Sequence, residues 1–110
     1  MSDAKRISWG KPRRPSDADR DALRDDLLTR ARAVRAAGWA PYRAEWSPGQ
    51  LAVVAYLLGD AEVLADLEET EGTVLTRYAA DLFGFLDGRK DVEKGLTATQ
   101  TWFDTVRASL

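Results

Sequence analysis

Residues 47–60 read Ser-Pro-Gly-Gln-Leu-Ala-Val-Val-Ala-Tyr-Leu-Leu-Gly-Asp. Ser47 followed by Pro48 is typical of a helix N-cap and first helical position, and Gly59 is typical of a helix end. The eight residues before Gly59 are all apolar. A helix without a polar face belongs in the middle of a core. A buried strand is the alternative, because valine suits strands, but the cap and the terminal glycine favour a helix.

On the N-terminal side of this helix, the sequence predicts one long helix. It begins at Ser16, which forms a capping pattern with Asp19, and it ends at Gly38. Its five aspartates lie in the first half, and Arg30, Arg32 and Arg35 lie in the second, as the helix dipole favours. Apolar residues at helical spacing form its inner face: Leu23, Leu27, Leu28, Ala31 and Val34.

On the C-terminal side, the sequence predicts a short helix from Asp60 to about Glu69 and a longer one over 74–86. Asp87-Gly88 is expected to stop the longer helix, and 88–95 to form a charged loop. Thr97 with Gln100 predicts a capping box for a last helix, with Trp102, Phe103 and Val106 inside. The predicted fold is therefore all-α. It is a single small orthogonal bundle of about five helices over residues 16–110, preceded by a flexible basic arm over 1–15.

The composition excludes much enzyme chemistry. The chain has 110 residues, a formal net charge of -2, no cysteine and no histidine. There is thus no thiolate nucleophile, no disulfide, and neither of the commonest zinc ligands. The carboxylates show no diagnostic spacing, and the glycines form no phosphate-binding loop. We expect a protein that is not an enzyme and has no catalytic residues, no metal site and no cofactor.

The predicted arm is basic and a candidate for binding nucleic acid. An aromatic side chain among bases can stack on a nucleobase while the bases contact phosphates. A tail that aids solubility, or that docks on the acidic part of the same domain, is the alternative. The arm lacks the apolar run of a signal peptide, and the sequence has no membrane span, so a cytoplasmic protein is expected. The candidate residues are Lys5, Arg6, Trp9, Lys11, Arg13 and Arg14.

Two further groups are candidates for binding a protein partner. Trp39, Tyr42 and Trp46 lie in the connector before Ser47, and large aromatic residues anchor many interfaces. They are alternatively a lid over the core. The segment 44–76 contains seven acidic residues and no basic one. Such an acidic surface can steer a basic partner, or it can simply face water. Its candidate residues are predicted to share one helix face: Glu62, Asp66 and Glu69.

Several short motifs resemble those of small uncharacterised helical proteins of actinobacteria and their phages. They are Trp46-Ser-Pro-Gly-Gln-Leu51, Leu57-Leu-Gly-Asp60, Arg77-Tyr-Ala-Ala-Asp-Leu-Phe-Gly84, Asp91-Val92 and Trp102-Phe103. The resemblance covers residues 46–107. It implies no particular activity, but it favours an accessory regulator or a phage-type protein that binds a host protein.

These observations leave three functions open. The first is a non-enzymatic protein that occupies a surface on another protein. The second is a regulator that associates with nucleic acid through the basic arm. The third is a homo-oligomeric structural or assembly protein, because an all-apolar helix in a small chain is a reason for a second copy to cover it.

Overall fold

A computed structural model describes residues 14–110, which form six α-helices and no β-strand. The predicted all-α bundle is therefore confirmed, with one helix more than expected. No helix within this range is both long and apolar enough to cross a membrane. The helices are α1 (Asp17–Ala37), α2 (Pro48–Leu58), α3 (Ala61–Asp66), α4 (Glu71–Phe83), α5 (Phe85–Glu93) and α6 (Thr97–Arg107).

Helix α2 lies at the centre of the core. Ser47 caps it, because its hydroxyl accepts a 3.2 Å hydrogen bond from the Gln50 N–H. The side-chain oxygen of Gln50 in turn accepts a hydrogen bond from the Ser47 N–H. Gly59 ends it in the left-handed conformation, at φ 70°. Every residue from Leu51 to Leu57 is buried, and α2 contacts α1, α3, α4 and α6. The apolar run thus forms a helix surrounded by its own chain.

Helix α1 begins and ends where the sequence predicts. Ser16 and Asp19 form a reciprocal capping box, and Gly38 follows the last residue. Asp26 and Arg30, four residues apart on this helix, form an ion pair at 2.9 Å. Four of the predicted inner residues are buried and Leu23 packs against them at the edge; the buried four are Leu27, Leu28, Ala31 and Val34.

The region after α4 differs from the prediction. The helix expected over 74–86 ends at Phe83, because Gly84 adopts φ 92°, a conformation that only glycine adopts readily. The segment expected to be a charged loop instead forms most of α5. Gly88, the expected stop, lies inside α5, where a Cβ atom would stand 2.7 Å from the carbonyl oxygen of Ala79. The missing side chain lets α5 pack directly on α4.

The N-terminus of α6 also differs from the prediction. Thr97 is the first helical residue and makes no capping box with Gln100. The carboxylate of Asp91 in α5 takes that role, accepting bonds from the N–H groups of Ala98 and Thr99 and from the Thr99 hydroxyl, at 2.6–3.0 Å. Inside α6, Phe103 is buried as expected, whereas Trp102 is only half-buried.

Candidate interaction surfaces

Trp39 ties the connector between α1 and α2 to the start of α3. Its indole Nε1 donates a 2.9 Å hydrogen bond to Oδ2 of Asp60. The other carboxylate oxygen of Asp60 accepts from the N–H of Val63 and so caps α3. Trp39 is half-buried against the core. Its polar atom and its inner face therefore both have partners within the chain.

Tyr42 and Trp46 form a stacked pair on the same side of the core. Their ring centroids are 4.5 Å apart, with an interplanar angle of 20°. The guanidinium of Arg30 lies 4.9 Å from the Trp46 ring centroid, within the range of a cation–π contact. Both aromatic rings are half-buried and pack against the core. Both residues remain partly exposed, and the prediction that they anchor a partner stays a prediction.

The three acidic candidates do not share a helix face. Helix α3 ends at Asp66, and Glu68 then adopts φ 59°. Glu62 and Asp66 are exposed on α3, whereas Glu69 lies beyond the helix in the turn before α4. The prediction of one acidic helix face over all three is therefore wrong, because the helix is a turn shorter than expected.

Glu69 is held by α4. Its carboxylate accepts a 2.6 Å bond from the Thr73 hydroxyl and a 2.8 Å bond from the Arg77 guanidinium. The Thr73 hydrogen bond, and after it the Arg77 contact, lower the pKa of Glu69. Only 16% of its side-chain surface is exposed. Glu69 stabilises the entry to α4 and presents little free charge. Across residues 14–110 no group of three or more acidic side chains is arranged to hold a metal ion.

Of the basic candidates, Arg14 lies within the described residues and the others lie outside them. Lys5, Arg6, Trp9, Lys11 and Arg13 lie outside the described residues. Arg14 forms an ion pair with Asp87 in α5. The next residue, Pro15, has its Cδ atom 3.3 Å from where a Cβ of Gly84 would stand. The described chain therefore starts directly against the junction of α4 and α5.

Helix α1 reinforces this junction. The guanidinium of Arg20 donates a 2.7 Å hydrogen bond to the carbonyl of Leu82, near the end of α4. Arg20 also lies 6.0 Å from the ring centroid of Phe83. The start of α1 is thus fixed beside the break at Gly84.

The most exposed large apolar side chains of the described chain lie on α5. Phe85 is 62% exposed, Leu86 67% and Val92 39%. Phe85 and Val92 are seven residues apart, or about two helical turns, so they lie on one line along the helix. Leu86 lies about 100° around the axis from Phe85, and Arg89 stands between them. We call Phe85, Leu86 and Val92 the α5 apolar face.

The sequence interpretation missed this surface. The helix predicted over 74–86 would continue through Leu86, but the break at Gly84 ends it at Phe83 and places Leu86 on α5. The available signal was Gly84 between two phenylalanines, a pattern consistent with either a close helix crossing or a helix break. The break is what occurs, and the close approach is at Gly88.

A shallow depression lies beside α5, and no residue of the α5 apolar face lines it. Its volume is about 250 Å³, and Asp87 lies at its edge beside Arg14. The charges around it have both signs, so the local field favours neither a strongly acidic nor a strongly basic partner. The lining residues are Phe83, Asp87, Lys90, Asp91, Lys94 and Ala98.

The titratable groups with shifted pKa values have structural explanations. Burial would raise the pKa of Asp91, but its hydrogen bonds to Thr99 and Ala98, with the nearby charge of Lys94, lower it overall. Burial raises the pKa of Tyr78, and burial likewise raises that of Asp81. Among the described residues, no buried side-chain nitrogen or oxygen lacks a hydrogen-bond partner. This part of the chain therefore contains no unsatisfied buried polar group that calls for a ligand.

Comparisons with protein families, curated proteins and solved structures found no match to this chain.

Proposed function

We propose that this chain is a non-catalytic protein-interaction module that binds another protein through the α5 apolar face. The observation that supports this is the exposure of Phe85 and Leu86 on a helix whose other side is fixed to α4. Exposed large apolar side chains that stand together on a rigid element are typical of binding surfaces. The resemblance to actinobacterial and phage proteins supports an accessory regulator that binds a host protein. The expected cytoplasmic location is part of this proposal.

The surroundings of the face suit an interface. Charged side chains of α5 stand among and beside the apolar ones: Arg89 lies between Phe85 and Leu86, and Asp87, Lys90 and Glu93 are close in sequence. Protein interfaces combine apolar contacts with polar ones, and arginine is enriched in them. The aromatic connector and the exposed acids Glu62 and Asp66 remain a second contact area for the same partner.

Capture from a lysate with surface variants tests this function. The tagged full-length chain is incubated with lysate of a GC-rich actinobacterium, with and without nuclease. We expect a discrete protein that survives nuclease and is lost with the Phe85→Ser/Leu86→Ser double variant. Both positions are exposed in the first turn of α5, where serine is well tolerated, so the melting temperature is expected to stay within a few degrees of wild type.

The control variant makes the same kind of change, from apolar to polar side chains, at a different site. Ala36→Ser/Ala37→Ser alters two exposed positions at the end of α1, away from the α4–α5 junction, and is expected to leave capture unchanged. Capture that depends on nucleic acid would contradict the proposal and favour the basic arm. So would the absence of a captured protein, or equal capture by the double variant and the wild type.

A further inference from the structure

We propose that the partner of the α5 apolar face presents a helix on which one carboxylate stands among apolar side chains, and that this carboxylate pairs with Arg89. The inference rests on the proposed function and names the chemistry of its partner. Three features of the described residues carry it: the place of Arg89 within the face, the lack of an ion pair for its guanidinium, and the shape and size of the face.

Arg89 stands in the middle of the α5 apolar face. Along the helix axis it lies about 6 Å beyond Phe85 and about 4.5 Å before Val92. Around the axis it lies about 40° from Phe85 on the side of Leu86, and Val92 lies about 20° from Phe85 on the other side. All four residues are exposed. A protein surface that covers the three apolar side chains therefore meets Arg89 as well.

The guanidinium of Arg89 has no acceptor in the described part of the chain. It forms no ion pair or hydrogen bond with any residue of 14–110. Glu93, one turn further along α5, is exposed and likewise forms no ion pair within this range. Most arginines of the same range do form ion pairs, and these are Arg14, Arg20, Arg24, Arg30, Arg43, Arg77 and Arg107.

The position of this guanidinium restricts the chemistry of the partner. Taking a charged group out of water costs free energy unless the group is paired. The planar guanidinium fits a carboxylate with two parallel hydrogen bonds, which are stronger than neutral ones. The charged residues of α5 have both signs, so a strongly acidic partner has no advantage over a partner with a single carboxylate at this point. One Asp or Glu side chain therefore complements the centre of the face.

The shape and size of the face favour a helix as the element that carries this carboxylate. A row of side chains along one helix, here at positions 85, 89 and 92, fits into the grooves of another helix. The exposed parts of the three apolar side chains amount to about 300 Å². A standard interface buries roughly 800 Å² on each partner. We therefore expect weak binding through this face, with the carboxylate contributing to its specificity.

Two pairs of synthetic helical peptides are the probes. Each peptide is an alanine-based helix of about 16 residues, stabilised by a lactam bridge. It has two leucines seven residues apart, as Phe85 and Val92 are in α5, and a glutamate between them. The glutamate is nearer the second leucine in one pair and nearer the first in the other, so that parallel and antiparallel helices are both represented. In the second member of each pair, glutamine replaces glutamate, which removes the charge and keeps the shape.

Binding is measured by titrating the full-length chain with each peptide and recording its amide signals by NMR. We expect the signals of 85–93 to shift, and one glutamate peptide to bind about five- to tenfold more tightly than its glutamine counterpart. Arg89→Gln is expected to abolish this preference. Arg35→Gln is the matched control and is expected to keep it, because Arg35 is an exposed arginine of α1 that also forms no ion pair within residues 14–110.

Four results with the peptides would overturn the inference. Equal binding of both members of each pair would show that the face does not select a carboxylate. The absence of binding by all four would show that it takes no helix of this kind. A preference that persists in Arg89→Gln would assign the carboxylate to another basic residue. A preference that appears only in Glu93→Gln would show that Glu93 is the acceptor of Arg89, so that the partner needs none.

A lipid surface is distinguished in the same experiment. If vesicles of phosphatidylglycerol shift the signals of 85–93 and the peptides do not, then the occupant of the face is an anionic membrane surface, and the inference is wrong. The exposed carboxylate of Glu93 beside Val92 is the reason to expect the protein partner instead, since anionic lipid repels it.

The inference and the proposed function can fail separately. If Phe85→Ser/Leu86→Ser abolishes capture from the lysate but Arg89→Gln captures as well as wild type, then the carboxylate is wrong and the proposed function stands. If the peptides show the expected preference but Phe85→Ser/Leu86→Ser captures as well as wild type, then the captured protein binds elsewhere. In that case the proposed function is wrong, while the preference of the α5 apolar face for a carboxylate stands.

Discussion

Asp91 is the residue whose role is most clearly defined by its contacts. It is buried, and its two oxygens accept three hydrogen bonds from the first turn of α6. We expect Asp91→Ala to lower the free energy of unfolding by about 1–3 kcal/mol, because three donors lose their acceptor. Urea unfolding at neutral pH measures this. Asp104→Ala, which removes an exposed carboxylate from the same helix, is the control and is expected to have a much smaller effect.

The same residue predicts a pH dependence. The pKa of Asp91 in the folded protein lies below its ordinary value of 3.8. Its contribution to stability is therefore complete above the unfolded-state pKa and is lost as the pH falls through the folded-state value. We expect Asp91→Asn to reduce the loss of stability below about pH 4 relative to wild type. Parallel stability curves for the two proteins over this acid range would contradict the assignment.

A variant at Trp46 distinguishes a ring that only covers the core from one that also anchors a partner. Trp46→Ala removes the stacking with Tyr42 and the contact with Arg30, each worth about 0.5–1.5 kcal/mol. We expect a lower unfolding free energy with the far-UV helical signal retained at room temperature. If partner capture is also abolished in this folded variant, the outer edge of Trp46 is an anchor. If capture is unchanged, the ring acts only as part of the lid.

Among the helices, α4 and α5 depend on two glycines for different reasons. Gly84 needs its positive φ, whereas Gly88 needs the space of its missing side chain. We expect Gly88→Ala to destabilise the fold by about 1–3 kcal/mol, because the new methyl would meet the backbone of Ala79. Helix propensity alone predicts the opposite sign, a gain of up to about 1 kcal/mol.

Gly72→Ala is the matched control for this prediction. Gly72 is also inside a helix, and its nearest atom to a new Cβ is the Thr70 hydroxyl oxygen at 3.7 Å, an ordinary contact. We expect this variant to be neutral or slightly stabilising in thermal unfolding. If Gly88→Ala were as stable as Gly72→Ala, then α5 would not pack against α4 as closely as the structure places it.

The helices that could be predicted from the sequence are those whose ends are marked by capping residues or a terminal glycine. Ser16 with Asp19, and Ser47 with Gly59, define α1 and α2 within a few residues, and the structure has the same boundaries. Helix α5 has no such signals. It forms because Gly88 fits against α4 and Asp91 caps α6, and both contacts join residues on different helices. The α5 apolar face was missed for the same reason. The half-buried aromatic connector could be located because Trp39, Tyr42 and Trp46 lie between the predicted end of one helix and the predicted start of the next.

For the whole molecule, the packing of α2 removes one argument for an oligomer. An all-apolar helix must be buried on all sides, and four other helices of the same chain bury α2. The remaining apolar face, on α5, is small by the standard of stable dimers. Within the part of the chain that the structure describes, α2 therefore needs no second copy to bury it.

We accordingly expect the full-length chain to be a monomer of 12.2 kDa in light scattering at micromolar concentration. A mass near twice this value would contradict the expectation, and Leu86→Ser then locates the contact. If that variant restores the monomer, the copies meet through α5, and the face is an interface between copies. If the dimer persists, the contact lies elsewhere, and the α5 apolar face stays available to a partner. A monomer for both proteins would leave Phe85 and Leu86 free to contact a different protein, as the proposed function requires.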